Sequence, residues 1–83
     1  MYNKGEAMPT IMIIEGVRFY FYSNEETRIH VHVECQNREA KIWLDTFEIA
    51  YNFGFRSFHL NKIIRLIKKH EKEIKRQWIS FFG

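Results

Sequence analysis

The sequence is poor in the residues and motifs that would define several classes of protein. It has one cysteine, Cys35, in 83 residues, which excludes an intramolecular disulfide framework and fits a reducing compartment. One proline and four glycines leave no low-complexity stretch, and no internal repeat is visible. No apolar run approaches the roughly 18–20 residues of a membrane span, and the N-terminus lacks the apolar segment of a signal peptide. There is no P-loop, G-x-G-x-x-G, G-x-S-x-G, H-E-x-x-H or paired C-x-x-C, so the enzymes marked by those motifs are not indicated. The length leaves no room for a second folding unit.

What is present is apolar and aromatic. The chain is 46% hydrophobic and 17% aromatic, which argues against disorder. A small, soluble, cytoplasmic domain is expected. Its formal net charge of +3 conceals an asymmetry. Up to Phe55, five basic residues face eight acidic ones, a balance of −3; from Arg56 onward eight basic residues face Glu71 and Glu73, a balance of +6. Such polarity suits an anionic partner for the C-terminal part without identifying it.

Residues 1–8 (MYNKGEAM) show no periodicity and read as a flexible N-terminus, leaving 9–83 as a single domain. Pro9 suits the start of a strand. Four β-favouring runs follow, at Thr10–Ile14, Val17–Tyr22, Ile29–Glu34 and Glu39–Leu44. Glu15-Gly16 and Gln36-Asn37 are two-residue hairpin loops, and Ser23–Thr27 is a polar loop. Two-residue loops set the register: Val33 opposite Ala40, Val31 opposite Ile42 and Ile29 opposite Leu44, alternating with Glu34–Glu39, His32–Lys41 and His30–Trp43. Val17, Phe19, Phe21, Met12 and Ile14 then share the core face. The other face carries Ile11, Ile13, Arg18, Tyr20, Tyr22, His30, His32, Lys41 and Trp43, which is unusually aromatic for a wet surface.

The period then changes. Asp45-Thr-Phe-Glu48 matches a D-x-x-E capping signal and predicts a short helix ending near Gly54. A long helix is predicted from about Ser57, with Leu60, Ile63, Ile64, Ile67, Ile74, Trp78 and Phe81 on one stripe. The expected fold is α+β: a four-stranded antiparallel meander, a short helix, and a long C-terminal helix packed on one sheet face.

Met8-Pro9-Thr10-Ile11 and Arg18-Phe19-Tyr20-Phe21-Tyr22-Ser23-Asn24-Glu25 resemble the opening of a bacterial family known as domain of unknown function forty-one-sixty. His30-Val31-His32-Val33-Glu34 is similar to its His-x-His-Val block, and Glu39-Ala40-Lys41-Ile42-Trp43-Leu44-Asp45 to its Ala-Lys-x-Trp-Leu segment. Gly54-Phe55 and Trp78 to Phe82 also fit. The chain departs from the pattern at Arg28-Ile29, where prolines are usual, and at Arg56 and His59, where a Ser-x-x-Glu pattern opens the last helix. The resemblance implies no established activity. It implies a gene that adjoins another small family, in an arrangement like a toxin–antitoxin operon.

Three sets of residues carry candidate chemistry. His30 and His32, two apart on a strand, point the same way and titrate near neutrality, so they suit an acid and a base. With Lys41 opposite His32 as a fixed cation, they would suffice for metal-free RNA cleavage. The same pair would need a third ligand to hold zinc, and Glu34, Cys35, His59 and His70 are candidates by type alone; no spacing marks a strong zinc site, and no metal or cofactor is assigned. The second set is the binding face of Arg18, Tyr20, Tyr22, Trp43, Ile11 and Ile13, expected to be exposed. The third is a basic helix stripe, Lys62, Arg65, Lys69, Lys72 and Arg76, suited either to phosphates or to plain solvation.

The leading expectation is a small interaction domain of a toxin–antitoxin-like two-protein module. Its aromatic and histidine face would dock a small partner protein, such as the product of the neighbouring gene, or a second copy. The alternative is an RNA-directed protein, a metal-independent endoribonuclease using His30, His32 and Lys41. Simple RNA or DNA binding by the helix stripe is a third option, and no membrane is involved.

Overall fold

The computed structural model describes residues 10–22 and 27–83. The flexible terminus expected at 1–8, Pro9 and most of the polar loop, residues 23–26, lie outside the described residues. The order is β1 (Thr10–Ile14), β2 (Val17–Tyr20), β3 (His30–Cys35), β4 (Arg38–Trp43), β5 (Ile49–Phe53), α1 (Ser57–Lys69) and α2 (Glu71–Phe82). The strands form one antiparallel meander in the order β1-β2-β3-β4-β5. None of the described helices is long and apolar enough to cross a membrane.

The α+β class stands, and the sheet has five strands where four were predicted. Both expected two-residue turns form. Glu15 and Gly16 have φ of 52° and 80°, and Gln36 and Asn37 have 47° and 45°. Two consecutive left-handed residues give the turn whose twist matches the flanking strands. The second turn sets the register as predicted: His30 opposite Trp43, Val31 opposite Ile42, His32 opposite Lys41, Val33 opposite Ala40 and Glu34 opposite Glu39. Beyond the strand ends, the Leu44 N–H donates to the Ile29 carbonyl at 3.0 Å.

The short helix predicted after Asp45 is instead a turn and the fifth strand. The Asp45 carboxylate accepts from Arg28 at 2.9 and 3.0 Å, so it does not serve as the expected cap. Phe47 takes a left-handed φ of 64°, which interrupts any helix at its third residue. The Phe47 N–H donates to the Trp43 carbonyl at 2.8 Å and the Trp43 N–H to the Glu48 carbonyl at 2.9 Å. The Glu48 N–H donates to Thr46 Oγ1. These bonds close a tight loop and return the chain beside β4.

The long C-terminal helix is two helices that part at His70, whose φ of −106° and ψ of 20° serve as one cap each way. The division falls in the polar stretch between the buried Ile67 and Ile74, where no apolar side chain anchors the helix to the sheet. Leu60, Ile63, Ile67, Ile74 and Trp78 join Val17, Phe19, Phe21, Val31, Val33, Ala40, Ile42 and Leu44 in one core. The helices therefore pack on the expected sheet face. Phe81, placed on the buried stripe from sequence, is exposed, and its neighbour Phe82 packs against the core. The last helical turn therefore presents Phe82 inward.

Candidate functional site

The sheet face away from the helix core carries the candidate site. Alternation along β2, β3 and β4 puts Arg18, Tyr20, His30, His32, Glu34, Glu39, Lys41 and Trp43 on it together. This is the grouping expected from sequence, with one exception among the β1 residues. Ile11 sits at a register irregularity between Thr10 and Met12 and packs against the core; the irregularity reverses its facing. Ile13 keeps the predicted face and is 67% exposed.

The exposure expected of this face is not found at its centre. Tyr20 and His32 are 2% exposed, Lys41 8% and His30 0%, while Tyr22 and Trp43 are half-buried. Mutual stacking is the reason. Tyr20 stacks on His32 with centroids 5.3 Å apart, and Tyr22 meets the His32 ring edge-on at 4.6 Å. His30 stands edge-on to His32 at 5.2 Å and to Trp43 at 5.7 Å. Trp78 reaches His30 from α2 at 4.9 Å and also meets Phe21 at 5.3 Å. The His30 Nδ1–H donates to the Arg28 carbonyl at 2.6 Å, since a carbonyl can only accept.

Cations line this aromatic cluster. The Arg18 guanidinium lies 4.3 Å from the Tyr20 centroid, and Arg28 lies 4.1 Å from that of Trp43. The Lys41 ammonium is 4.6 Å from the same indole. Such contacts are worth about 0.5–2 kcal/mol, more when dry. Both guanidinium groups also hold carboxylates: Arg18 donates to Glu34 at 2.8 Å and Arg28 to both oxygens of Asp45. Burial first, then Tyr22 and the carboxylates of Glu34 and Glu39, raise the pKa of the Tyr20 hydroxyl. It stays protonated at neutral pH.

The sequence reading did not place Tyr51 here, because residues 45–54 read as helix. On β5 it pairs with Lys41, and its hydroxyl lies 3.3 Å from His32 Nδ1. Phe53 continues the same face, its ring 5.1 Å from Tyr51. The alternation Ile49-x-Tyr51-x-Phe53 is the signal in the sequence that could have found them.

The remaining candidates do not join the cluster. His59 packs edge-on against Phe55 in α1, and His70 caps the helix junction. Cys35 ends β3 and packs toward the core. Among the described residues, no three His, Cys, Asp or Glu side chains are placed to hold a metal. On the basic stripe Lys62 pairs with Glu15 at 2.6 Å and Arg76 with Glu73 at 2.6 Å, while Arg65, Lys69 and Lys72 are exposed. An open groove of about 380 Å³ lies between β1 and α2, lined by Ile11, Phe21, Arg76, Gln77, Ser80 and Phe81; none of the candidate histidines lines it.

Residues 16–79 match the family model described as domain of unknown function DUF4160. The chain belongs to this family. No curated protein and no solved structure gave a match. In this DUF4160 domain the match runs from the first hairpin turn into α2 and includes every residue of the stacked cluster.

Proposed function

We propose that this DUF4160 domain is an interaction module, one component of a cytoplasmic toxin–antitoxin-like pair. It would bind a small partner protein through the rim of its aromatic face. The observation that carries this reading is the neutralisation of the face's own arginines. Arg18 and Arg28 lie over aromatic rings while bonded to Glu34 and Asp45. A phosphate backbone would have to displace those carboxylates, whereas a protein surface can use the half-buried Tyr22 and Trp43 as they stand. Aromatic and arginine side chains are also the groups enriched at the centres of protein interfaces. The two-protein setting rests on the gene arrangement that the family resemblance implies.

The test is co-purification with the product of the neighbouring gene. Tagged wild type should retain that protein, and Trp43→Ala with Tyr22→Ala should lose it at unchanged helical signal. Equal retention by both, or none by wild type, would overturn the reading.

A second reading keeps the endoribonuclease. It is favoured by Lys41 opposite His32, with Tyr51 beside the same imidazole. It is disfavoured by the burial of all three catalytic candidates, which leaves a phosphodiester no approach without rearrangement. RNA incubated in EDTA with wild type and with His30→Ala/His32→Ala decides it. Cleavage by wild type alone supports the mechanism; any other pattern removes it.

A further inference from the structure

We propose that the outer face of α1 binds single-stranded RNA, with Arg65 and Lys69 on the phosphates and Phe58 under a base. The surface is separate from the partner site proposed above, since α1 packs on the other side of the sheet. The inference begins with charge of one sign. From Arg56 to His70 the chain holds five basic residues and no acidic one. A solvated helix face ordinarily mixes signs, and α2 does so: Lys75 pairs with Glu71 and Arg76 with Glu73. In α1 the carboxylate of Glu15, from the first hairpin turn, reaches Lys62, and Lys68 lies over the Phe47 ring. Among the described residues Arg65 and Lys69 have neither kind of partner, and both are exposed. They stand four apart on one helix, where like charges repel. A phosphate set between them removes that repulsion, so charge complementarity calls for a polyanion.

Phe58 decides which polyanion. Steps of four, three and four connect Phe58, Lys62, Arg65 and Lys69, so the four share one stripe opposite the buried Leu60, Ile63 and Ile67. Phe58 is 73% exposed, more than any other large apolar side chain described. A rise of about 1.5 Å per residue sets it about 10 Å along the helix from Arg65, with Lys69 about 6 Å further on. An aromatic platform followed by a line of cations is how single strands are held, the base on the ring and the backbone on the charges. An acidic peptide would satisfy the cations and leave the ring with no flat partner. A bilayer would need a broader apolar face than one ring. Bases paired within a duplex offer the ring no face, whereas the splayed bases of single-stranded RNA stack on aromatic side chains.

Fluorescence anisotropy of a labelled uridine dodecamer, over a series of salt concentrations, tests this on the purified protein alone. Wild type should bind, and its affinity should fall as salt rises. Arg65→Gln/Lys69→Gln should weaken binding by about tenfold or more and make the log–log salt slope shallower by about 1.4, at about 0.7 per lost phosphate contact. Phe58→Ala should weaken binding by about fivefold or more at an unchanged slope, the loss of one stacked base. With the strand annealed to its complement, Phe58→Ala should change nothing. Arg38→Gln/Lys75→Gln removes as much charge from elsewhere and should stay within about twofold of wild type. Far-UV circular dichroism of all variants should match wild type. Absent or salt-insensitive binding by wild type overturns the proposal. So does a Phe58→Ala variant that binds the single strand like wild type or loses the duplex equally, or a control pair that weakens binding as much as the α1 pair. None of these outcomes depends on the neighbouring gene product or on the two histidines, so this surface and the readings above fail separately.

Discussion

Arg28 grips Asp45 through two hydrogen bonds, Nε donating at 2.9 Å to one carboxylate oxygen and Nη2 at 3.0 Å to the other. The residues are 17 apart in sequence, and the pair ties the approach to β3 to the end of β4. It also removes from Asp45 the role that its sequence context suggests. The carboxylate is directed at a guanidinium and does not cap a following helix.

That pair has a pH signature. The Arg28 hydrogen bond lowers the Asp45 pKa below its ordinary value of 3.8. A depressed folded-state pKa stabilises the fold above the unfolded pKa, and the gain is lost as pH falls through the folded value. Wild type should therefore melt higher than Asp45→Asn at neutral pH, and the two should converge as pH falls from about 5 to 2. Thermal melts across that range check this; a constant gap would count against the pair.

The core depends on large residues that are fully enclosed. Phe19, 0% exposed in β2, lies opposite Val33 and under the helices. Phe19→Ala should cost about 3–5 kcal/mol, read as a lower urea midpoint at similar m-value. A loss under 1 kcal/mol would contradict this packing.

The Gln36-Asn37 turn holds two non-glycine residues at positive φ. Gln36→Asn with Asn37→Gly supplies the pair that such turns prefer, and stability should rise by about 0.5–1 kcal/mol. The cost is one exposed bond from Arg38 to Gln36 at 3.2 Å. Unchanged or lower stability in chemical denaturation would show that the turn carries no strain.

Tyr51→Phe isolates the contact with His32. Removing a part-buried hydroxyl 3.3 Å from Nδ1 should cost about 0.5–1.5 kcal/mol. In a double-mutant cycle with His32→Ala most of that cost should vanish. Additive losses would mean that the hydroxyl acts elsewhere.

Much of the fold was legible locally. Glu15-Gly16 and Gln36-Asn37 are turns of minimum length, and a two-residue loop leaves one register that keeps Val31, Val33, Ala40 and Ile42 on one side. The His30–Trp43 and His32–Lys41 pairs follow from the same count. Residues 45–54 suggest a helix from sequence because a capping pattern and a period-two pattern overlap there. Only the long-range Arg28–Asp45 pair and the left-handed Phe47 separate them. With β5 hidden, Tyr51 and Phe53 could not be placed beside His32.

The sequence alone determined the α+β class, the two hairpins, the helical stripe and the company kept by the two histidines. All of these depend on spacing along the chain or on turn geometry. The tertiary structure decided the fifth strand, the break at His70 and, above all, the burial of His30, His32, Tyr20 and Lys41. Alternation assigns a side chain to a face, but whether that face is wet depends on what stacks over it. Here the aromatic rings cover one another, and Trp78 reaches His30 from 48 residues away in sequence.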